Sequence, residues 1–168
     1  TNGNRTSWCS EMMSIEERLD IHDLFADYGT CLDEDRLEEW LELFSADCTY
    51  KIAPRDNYDL NLPVTLMLCE NRNMLRDRIV SLREANQFSV HRDRHLISNI
   101  KIKQSIESEF RVTGNYVVYQ ADREGSSSLF SFGFYDSTII FVSEKPKFSS
   151  MMVVVDNWAI PHMLSTPI

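Results

Sequence analysis

Arg94-His95-Leu96-Ile97-Ser98-Asn99-Ile100-Lys101-Ile102 marks the point in the 168-residue chain where the hydrophobic period changes. From here onward Leu96, Ser98, Ile100 and Ile102 alternate with His95, Ile97, Asn99 and Lys101, the period of two expected of a strand. Phe110, Val112, Gly114 and Tyr116 repeat the pattern against Arg111, Thr113 and Asn115. In the next strand the spacing puts Phe130, Phe132 and Phe134 on one face, and Met151 to Val155 form a continuous apolar run in the last. Turn-rich segments such as Arg123-Glu124-Gly125-Ser126 separate the runs, so four long strands in an antiparallel meander are predicted.

On the N-terminal side of that stretch the period is helical. Ser14-Ile15-Glu16-Glu17 is a capping box, in which the Ser oxygen accepts a backbone N–H and Glu17 reaches back to the cap. Ile21, Leu24, Phe25, Tyr28 and Leu32 follow as one apolar stripe. Asp33 is placed to cap a second helix with Glu34 and Asp35 in its first turn and Leu37, Trp40, Leu41 and Phe44 on its buried face. Cys48, Tyr50 and Ile52 alternate with Thr49 and Lys51 as a first strand that Pro54 ends. Asp56 to Pro63 reads as a loop, and Val64 to Cys69 as a short strand or buried coil. From Asn71, Leu75, Ile79 and Leu82 predict a third helix, whose Arg72, Arg76, Arg78 and Arg83 read as a solvated face; Gln87 to Asp93 reads as a polar connection. Helices first and strands afterward indicate an α+β domain over residues 14–168, with helices on one face of a curved sheet, after a flexible tail over residues 1–13.

Composition narrows the function classes. A single domain of this length buries roughly 70% of the surface its unfolded chain exposes. A formal charge of -9 and a pI near 4.9 argue against nucleic acid or an anionic membrane as partner, because polyanion binding needs clustered Lys and Arg. Cys9, Cys31, Cys48 and Cys69 are scattered without a C-x-x-C pair, which suits neither a zinc ribbon nor a disulfide scaffold. With no stretch near 18 consecutive apolar residues and no secretory pattern at the start, a cytoplasmic protein with reduced thiols is expected.

The residues that carry chemistry are few. A Rieske centre needs paired C-x-H and C-x-x-H spacings, and no Cys here has a His two or three positions on. His91 and His95 flank Asp93, but the segment reads as a loop entering a strand, so no metal site is expected. The five Gly form no phosphate-binding loop, and the G-x-S-x-G elbow is missing, which disfavours nucleotide cofactors and serine-hydrolase chemistry. An acid/base pair is left: Asp33 and His95 could meet inside the fold with Tyr28 and Tyr50 nearby. Their commoner roles are a helix cap for Asp33 and a hydrogen-bonded core or interface histidine for His95, so no catalytic, cofactor-binding or metal residue is assigned.

Leu32-Asp33-Glu34-Asp35-Arg36-Leu37-Glu38-Glu39-Trp40-Leu41-Glu42-Leu43-Phe44 with Asp47 and Tyr50, Met74-Leu75-Arg76-Asp77-Arg78-Ile79, and Arg94 to Ile100 occur in an order that resembles one family. That family is the small, or beta, subunits of bacterial aromatic-ring-hydroxylating dioxygenases. Arg83-Glu84-Ala85-Asn86, the Arg94-His95 pair and the ending from Val155-Asp156-Asn157 to Pro167-Ile168 resemble most the branch that acts on aromatic carboxylates: terephthalate, salicylate, anthranilate and halobenzoate oxygenases. The resemblance implies a nuclear-transport-factor-2-like (SnoaL-like) cone. It also implies a trimer of small subunits supporting three large subunits. The large subunit would carry the Rieske iron-sulfur cluster and mononuclear Fe(II), and a reductase, sometimes with a ferredoxin, would supply electrons from NADH.

A scaffolding role predicts apolar side chains at subunit contacts, with Phe130, Phe132, Phe134, Met151 to Val155, Tyr135 and Trp158 as candidates. Two other functions compete. The same cone hosts dehydratases and isomerases that use an Asp and a His, matched in position by Asp33 and His95, although Leu32 stands where a scytalone-dehydratase-like enzyme would show a Tyr. The other is a stand-alone cone that binds a hydrophobic ligand.

Overall fold

A computed structural model describes residues 13–85, 91–104, 109–157 and 166–168. Trp158 therefore lies outside the described residues, as do Trp8, Met12 and most of the N-terminal segment. The elements run α1 (Ile15–Asp33), α2 (Leu37–Glu42), β1 (Phe44–Pro54), α3 (Arg55–Asp59), β2 (Met67–Cys69), α4 (Arg72–Ala85), β3 (His91–Gln104), β4 (Glu109–Asp122), β5 (Ser127–Val142) and β6 (Lys145–Val155). They form one open six-stranded sheet in the order β2-β1-β6-β5-β4-β3. The last four strands are the expected antiparallel meander, and β1 joins it parallel to β6. The α+β class and the N-terminal placement of the helices are as the periodicity predicts.

α1 begins where its capping box requires. Glu17 N–H donates to Ser14 Oγ at 3.0 Å, and Ser14 N–H donates to the Glu17 carboxylate at 2.7 Å. Ile21, Leu24, Phe25 and Tyr28 are buried along one stripe against β3 and β6. The helix ends differently from expectation. Asp33 is its last residue and does not cap α2, which starts four positions later at Leu37, with Arg36 at the cap and no side-chain bond. Asp35 adopts a left-handed conformation (φ 56°), so that Arg36 N–H donates to Cys31 C=O and Asp35 N–H to Leu32 C=O. These two bonds make a Schellman end, which Asp tolerates better than most residues.

Four further expectations need correction. Phe44 opens β1 instead of closing the second helix, because its backbone pairs with Phe148. The segment read as a loop from Asp56 contains the short helix α3, braced by Arg55 bonding to Asp59 at 2.9 Å. Part of the Gln87 to Asp93 connection is strand, since β3 starts at His91. The arginines of α4 are not simply solvated: Arg83 bonds Asp35 at 2.6 Å and Glu38 at 3.0 Å, and Arg72 pairs with Glu42, so this face is tied to α2.

The three phenylalanines of β5 do not share a face. Val118 pairs with Ser131 and Tyr119 with Leu129, which leaves Phe130 as the extra residue of a β-bulge. The bulge inverts the alternation: Ser131, Gly133, Tyr135, Ser137 and Ile139 point into the core, and Phe132 and Phe134 lie on the outer face.

Aromatic rings fill the space between helices and sheet. Tyr28, Trp40, Phe44, Tyr50, Tyr116, Tyr135 and Phe148 are buried, with centroid separations from 4.7 to 6.3 Å and mostly edge-on geometry. Each such pair contributes about 0.5–1.5 kcal/mol beyond the area it buries. Tyr135 is wholly buried, and Met151, Val153, Val154 and Val155 are at most 1% exposed, so they belong to this chain's own core and are not left for a neighbour. The expected contact role of these residues is thereby corrected; of that set Phe132 stays well exposed.

Candidate functional site

The site begins where α1 meets β3. Gly29 lets them approach: a Cβ there would stand 3.4 Å from His95 Cβ and 3.2 Å from Ile97 Cδ1. At the following turn, the Asp33 carboxylate accepts from the His95 backbone N–H at 2.9 Å and lies 2.6 Å from His95 Nδ1. Arg94 Nη1 approaches the second oxygen at 3.3 Å from the solvent side. Both side chains are nearly sealed, 2% exposed for His95 and 4% for Asp33. The other ring nitrogen, His95 Nε2, is buried and has no hydrogen-bond partner among the described residues.

The pairing of Asp33 with His95 is thus as the residues suggested, but the two tyrosines are engaged elsewhere. Tyr28 and Tyr50 hydroxyls lie 3.3 Å apart, and each donates to Ile168 C=O, at 2.5 and 3.1 Å. Ile168 N–H returns a bond to the Tyr50 oxygen at 3.1 Å. The residues that close the sequence therefore sit inside the fold, which no local pattern predicted. Burial first, then the neighbouring Tyr50 and Tyr135, pushes the Tyr28 phenol well above its ordinary range. Burial raises Tyr50 as well, against the hydrogen bonds from Tyr28 and Ile168.

Alongside lies Tyr116, whose hydroxyl is 3.0 Å from Ser131 Oγ. Tyr135 stacks on it at 4.8 Å, and the Tyr135 hydroxyl has no partner among the described residues. Burial pushes the Tyr135 phenol far up, helped by Tyr116, Tyr50 and Asp33. These phenols stay protonated, so the interior offers neutral hydroxyls around one Asp-His pair. Such a set could move a proton only on a molecule that displaced the rings.

His91 does not join His95 in a common site. It lies at the start of β3, 3.6 Å from Asp93, which also accepts from Gln120 at 3.0 Å. Among the described residues no group of three or more His, Cys, Asp and Glu comes together as a metal site. Cys31, Cys48 and Cys69 are free and buried, and burial lifts the Cys48 thiol to about 11, well away from the thiolate an iron would need. This donor set does not fit an iron centre.

A second polar group, missed by the sequence reading, lies on the outer face of the sheet. Asp136 accepts from Tyr58 at 2.7 Å and from Arg111 at 2.9 and 2.6 Å. Burial opposes the charge on Asp136, yet Arg111 and Tyr58 together hold its carboxyl below the usual range. Arg55 adds a contact over the Phe134 ring at 5.1 Å and a bond to Asp156 at 3.1 Å. These contacts seat α3 on the sheet beside a cleft of about 700 Å³ lined by Lys51, Tyr58, Leu62, Pro63 and Met152. Partners so distant in sequence leave no spacing signal.

The fold defines the class: an α+β unit of helices on an open mixed sheet, with a cluster of buried aromatic side chains between them. A family model described as the ring hydroxylating beta subunit matches residues 29–161. The anthranilate 1,2-dioxygenase small subunit of Burkholderia cepacia is 41% identical over 137 residues, 82% of this chain and 85% of that protein. Subunit beta 2 of the terminal oxygenase component of terephthalate 1,2-dioxygenase from a Comamonas species is 27% identical over 143 residues, 85% of this chain and 93% of that one. A crystal structure from Novosphingobium aromaticivorans, assigned as the beta subunit of an aromatic-ring-hydroxylating dioxygenase, superposes with TM-score 0.82 at 34% identity, covering 92% of this chain and 100% of that one. The chain belongs to the ring-hydroxylating dioxygenase beta-subunit family, as the resemblance of its motifs implied. It is a small-subunit component of an oxidoreductase complex.

Proposed function

We propose that this chain is the supporting, non-catalytic small subunit of a cytoplasmic dioxygenase that hydroxylates an aromatic carboxylate. It trimerises and docks with three large subunits. The large subunit carries the Rieske cluster and mononuclear Fe(II), and a reductase, with or without a ferredoxin, delivers electrons from NADH. One observation carries the supporting role: among the described residues, seven aromatic rings and Ile168 pack together between the helices and the sheet, where a substrate would have to enter. Asp33 is committed to the backbone and ring of His95, which favours a structural lock over a free base. The donor set, unsuited to iron, supports redox chemistry on another polypeptide. Among the described residues no helix is long and apolar enough to cross a membrane. The substrate class rests on the two relatives named for anthranilate and terephthalate, both aromatic acids.

The test compares the purified chain with the same chain co-expressed with its large subunit, supplied with NADH, reductase, and anthranilate or terephthalate. Oxygen uptake and hydroxylated product are expected only with the large subunit present. Turnover by the small chain alone would overturn the proposal, as would an Asp33→Asn complex, assembled to the same extent, that turned over tenfold more slowly.

A further inference from the structure

The cleft on the outer face of the sheet plays no part in the supporting role. Register sets its floor: Lys51 of β1 pairs with Leu68 on one side and Met152 on the other, and Met152 pairs with Asp136 of β5. α3 packs on this face, fastened by Tyr58 to Asp136 and by Arg55 to Phe134 and Asp156. The space of about 700 Å³ between the sheet and the segment that follows α3 falls within the size range of small-molecule sites.

Charges in the cleft leave one cation over. Asp136 accepts from Nε and Nη2 of Arg111, and Asp59 accepts from Nε of Arg55, so each lining carboxylate already holds an arginine. Lys51 is half-buried, and among the described residues its ammonium has no hydrogen-bond or ion-pair partner. Lys103, opposite Arg111 in the β3–β4 register, adds positive charge on the same face. An ammonium partly withdrawn from water and facing no free carboxylate attracts an anion, even on a chain of net charge -9. The walls around it are largely apolar: Ala53, Leu62, Pro63, Met152 and the ring of Tyr58.

We propose that this cleft binds a small organic carboxylate, with the carboxylate on the Lys51 ammonium and the apolar body against Tyr58, Leu62, Pro63 and Met152. A bare inorganic anion would satisfy Lys51 and leave the apolar walls in water, whereas a neutral apolar molecule would leave the ammonium unpaired. The site lies on the opposite side of the sheet from the Asp33-His95 pair and the buried rings, because Lys51 and Met152 face outward where Tyr50 and Met151 face the core. It is a ligand site of the small subunit itself and goes beyond the supporting role.

The experiment titrates the full chain with benzoate by calorimetry and follows the same titration in amide NMR spectra. Benzoate is expected to bind with a Kd of about 0.1–1 mM, the affinity open to so small a ligand. Lys51→Met keeps the stem and removes the charge, and should weaken binding about tenfold or more, while Lys51→Arg restores it. Benzamide has the ring without the charge, and phosphate has the charge without the ring; each should bind at least about tenfold more weakly than benzoate. Spectral changes should centre on Lys51, Tyr58, Thr65 and Met152, and circular dichroism verifies that the variants fold. No binding by about 10 mM overturns the proposal. So does a Lys51→Met chain that binds like wild type, benzamide or phosphate that matches benzoate, or spectral changes centred on Tyr28 and Tyr116 inside the fold. None of these readings depends on turnover, so the cleft can fail while the supporting role stands, and turnover by the chain alone defeats that role whatever the cleft binds.

Discussion

Asp33 accepts from both the backbone N–H of His95, at 2.9 Å, and the ring Nδ1, at 2.6 Å, so one carboxylate ties the end of α1 to the middle of β3. A lock of this kind predicts a stability phenotype. Asp33→Asn keeps the shape but loses the charge-assisted acceptor, and is expected to lower the unfolding free energy by about 2–3 kcal/mol. Urea denaturation followed by circular dichroism measures it; a change under about 0.5 kcal/mol would show that the pair contributes little.

Acid should act through Asp136. Its carboxyl titrates below the ordinary value of 3.8 in the folded chain, held there by Arg111 and Tyr58 in spite of burial. A depressed folded pKa gives stability that is fully present above the unfolded pKa and is lost as pH falls through the folded one. Between pH 5 and about 2, wild type should therefore lose stability more steeply than Asp136→Asn, while at pH 7 the variant is the weaker. Urea midpoints across that range test the difference, and parallel curves would refute it.

Tyr135 separates core from interface. Its ring is fully buried against Phe25, Tyr28 and Tyr116, so Tyr135→Ala should cost about 3–5 kcal/mol of protomer stability. Tyr135→Phe removes only the hydroxyl, which has no partner among the described residues, and should be neutral or stabilising by up to about 1 kcal/mol. Thermal melts of both variants decide; a Phe variant as damaged as the Ala variant would mean that the hydroxyl is bonded.

Gly133 is required by the close approach of two strands. A Cβ there would lie 1.9 Å from the Val154 carbonyl oxygen, a backbone atom that cannot swing aside. Gly133→Ala should force β5 and β6 apart and cost about 3 kcal/mol. Soluble yield and melting temperature report it, and a melting temperature equal to wild type would contradict the geometry.

Much of this architecture is local and therefore legible in the residues. The capping box at Ser14 to Glu17 sets the start of α1 through bonds only three positions apart. Strict alternation from Leu96 and from Phe110 identifies strands, because side-chain direction has a period of two whatever the partner. The Asp33-His95 pair could be named from its family-like order, although its partners are 62 positions apart.

Tertiary structure alone decided the rest. The charges of Asp33-Glu34-Asp35 favour a helix start, yet α1 ends there, with Asp33 bonded to β3 and Asp35 in the left-handed turn. The bulge at Phe130 exists only in the register between β4 and β5, so the sequence by itself put Phe130 on the same face as Phe132 and Phe134. Tyr135, Met151 and Val153 to Val155 were equally apolar as core or as interface; the packing around them placed them inside, while Met152 faces the outer cleft. The sequence by itself determined the kinds of elements, their order and the family, since each depends on neighbours along the chain. Which face each side chain took depended on contacts between residues far apart, which a linear pattern does not encode.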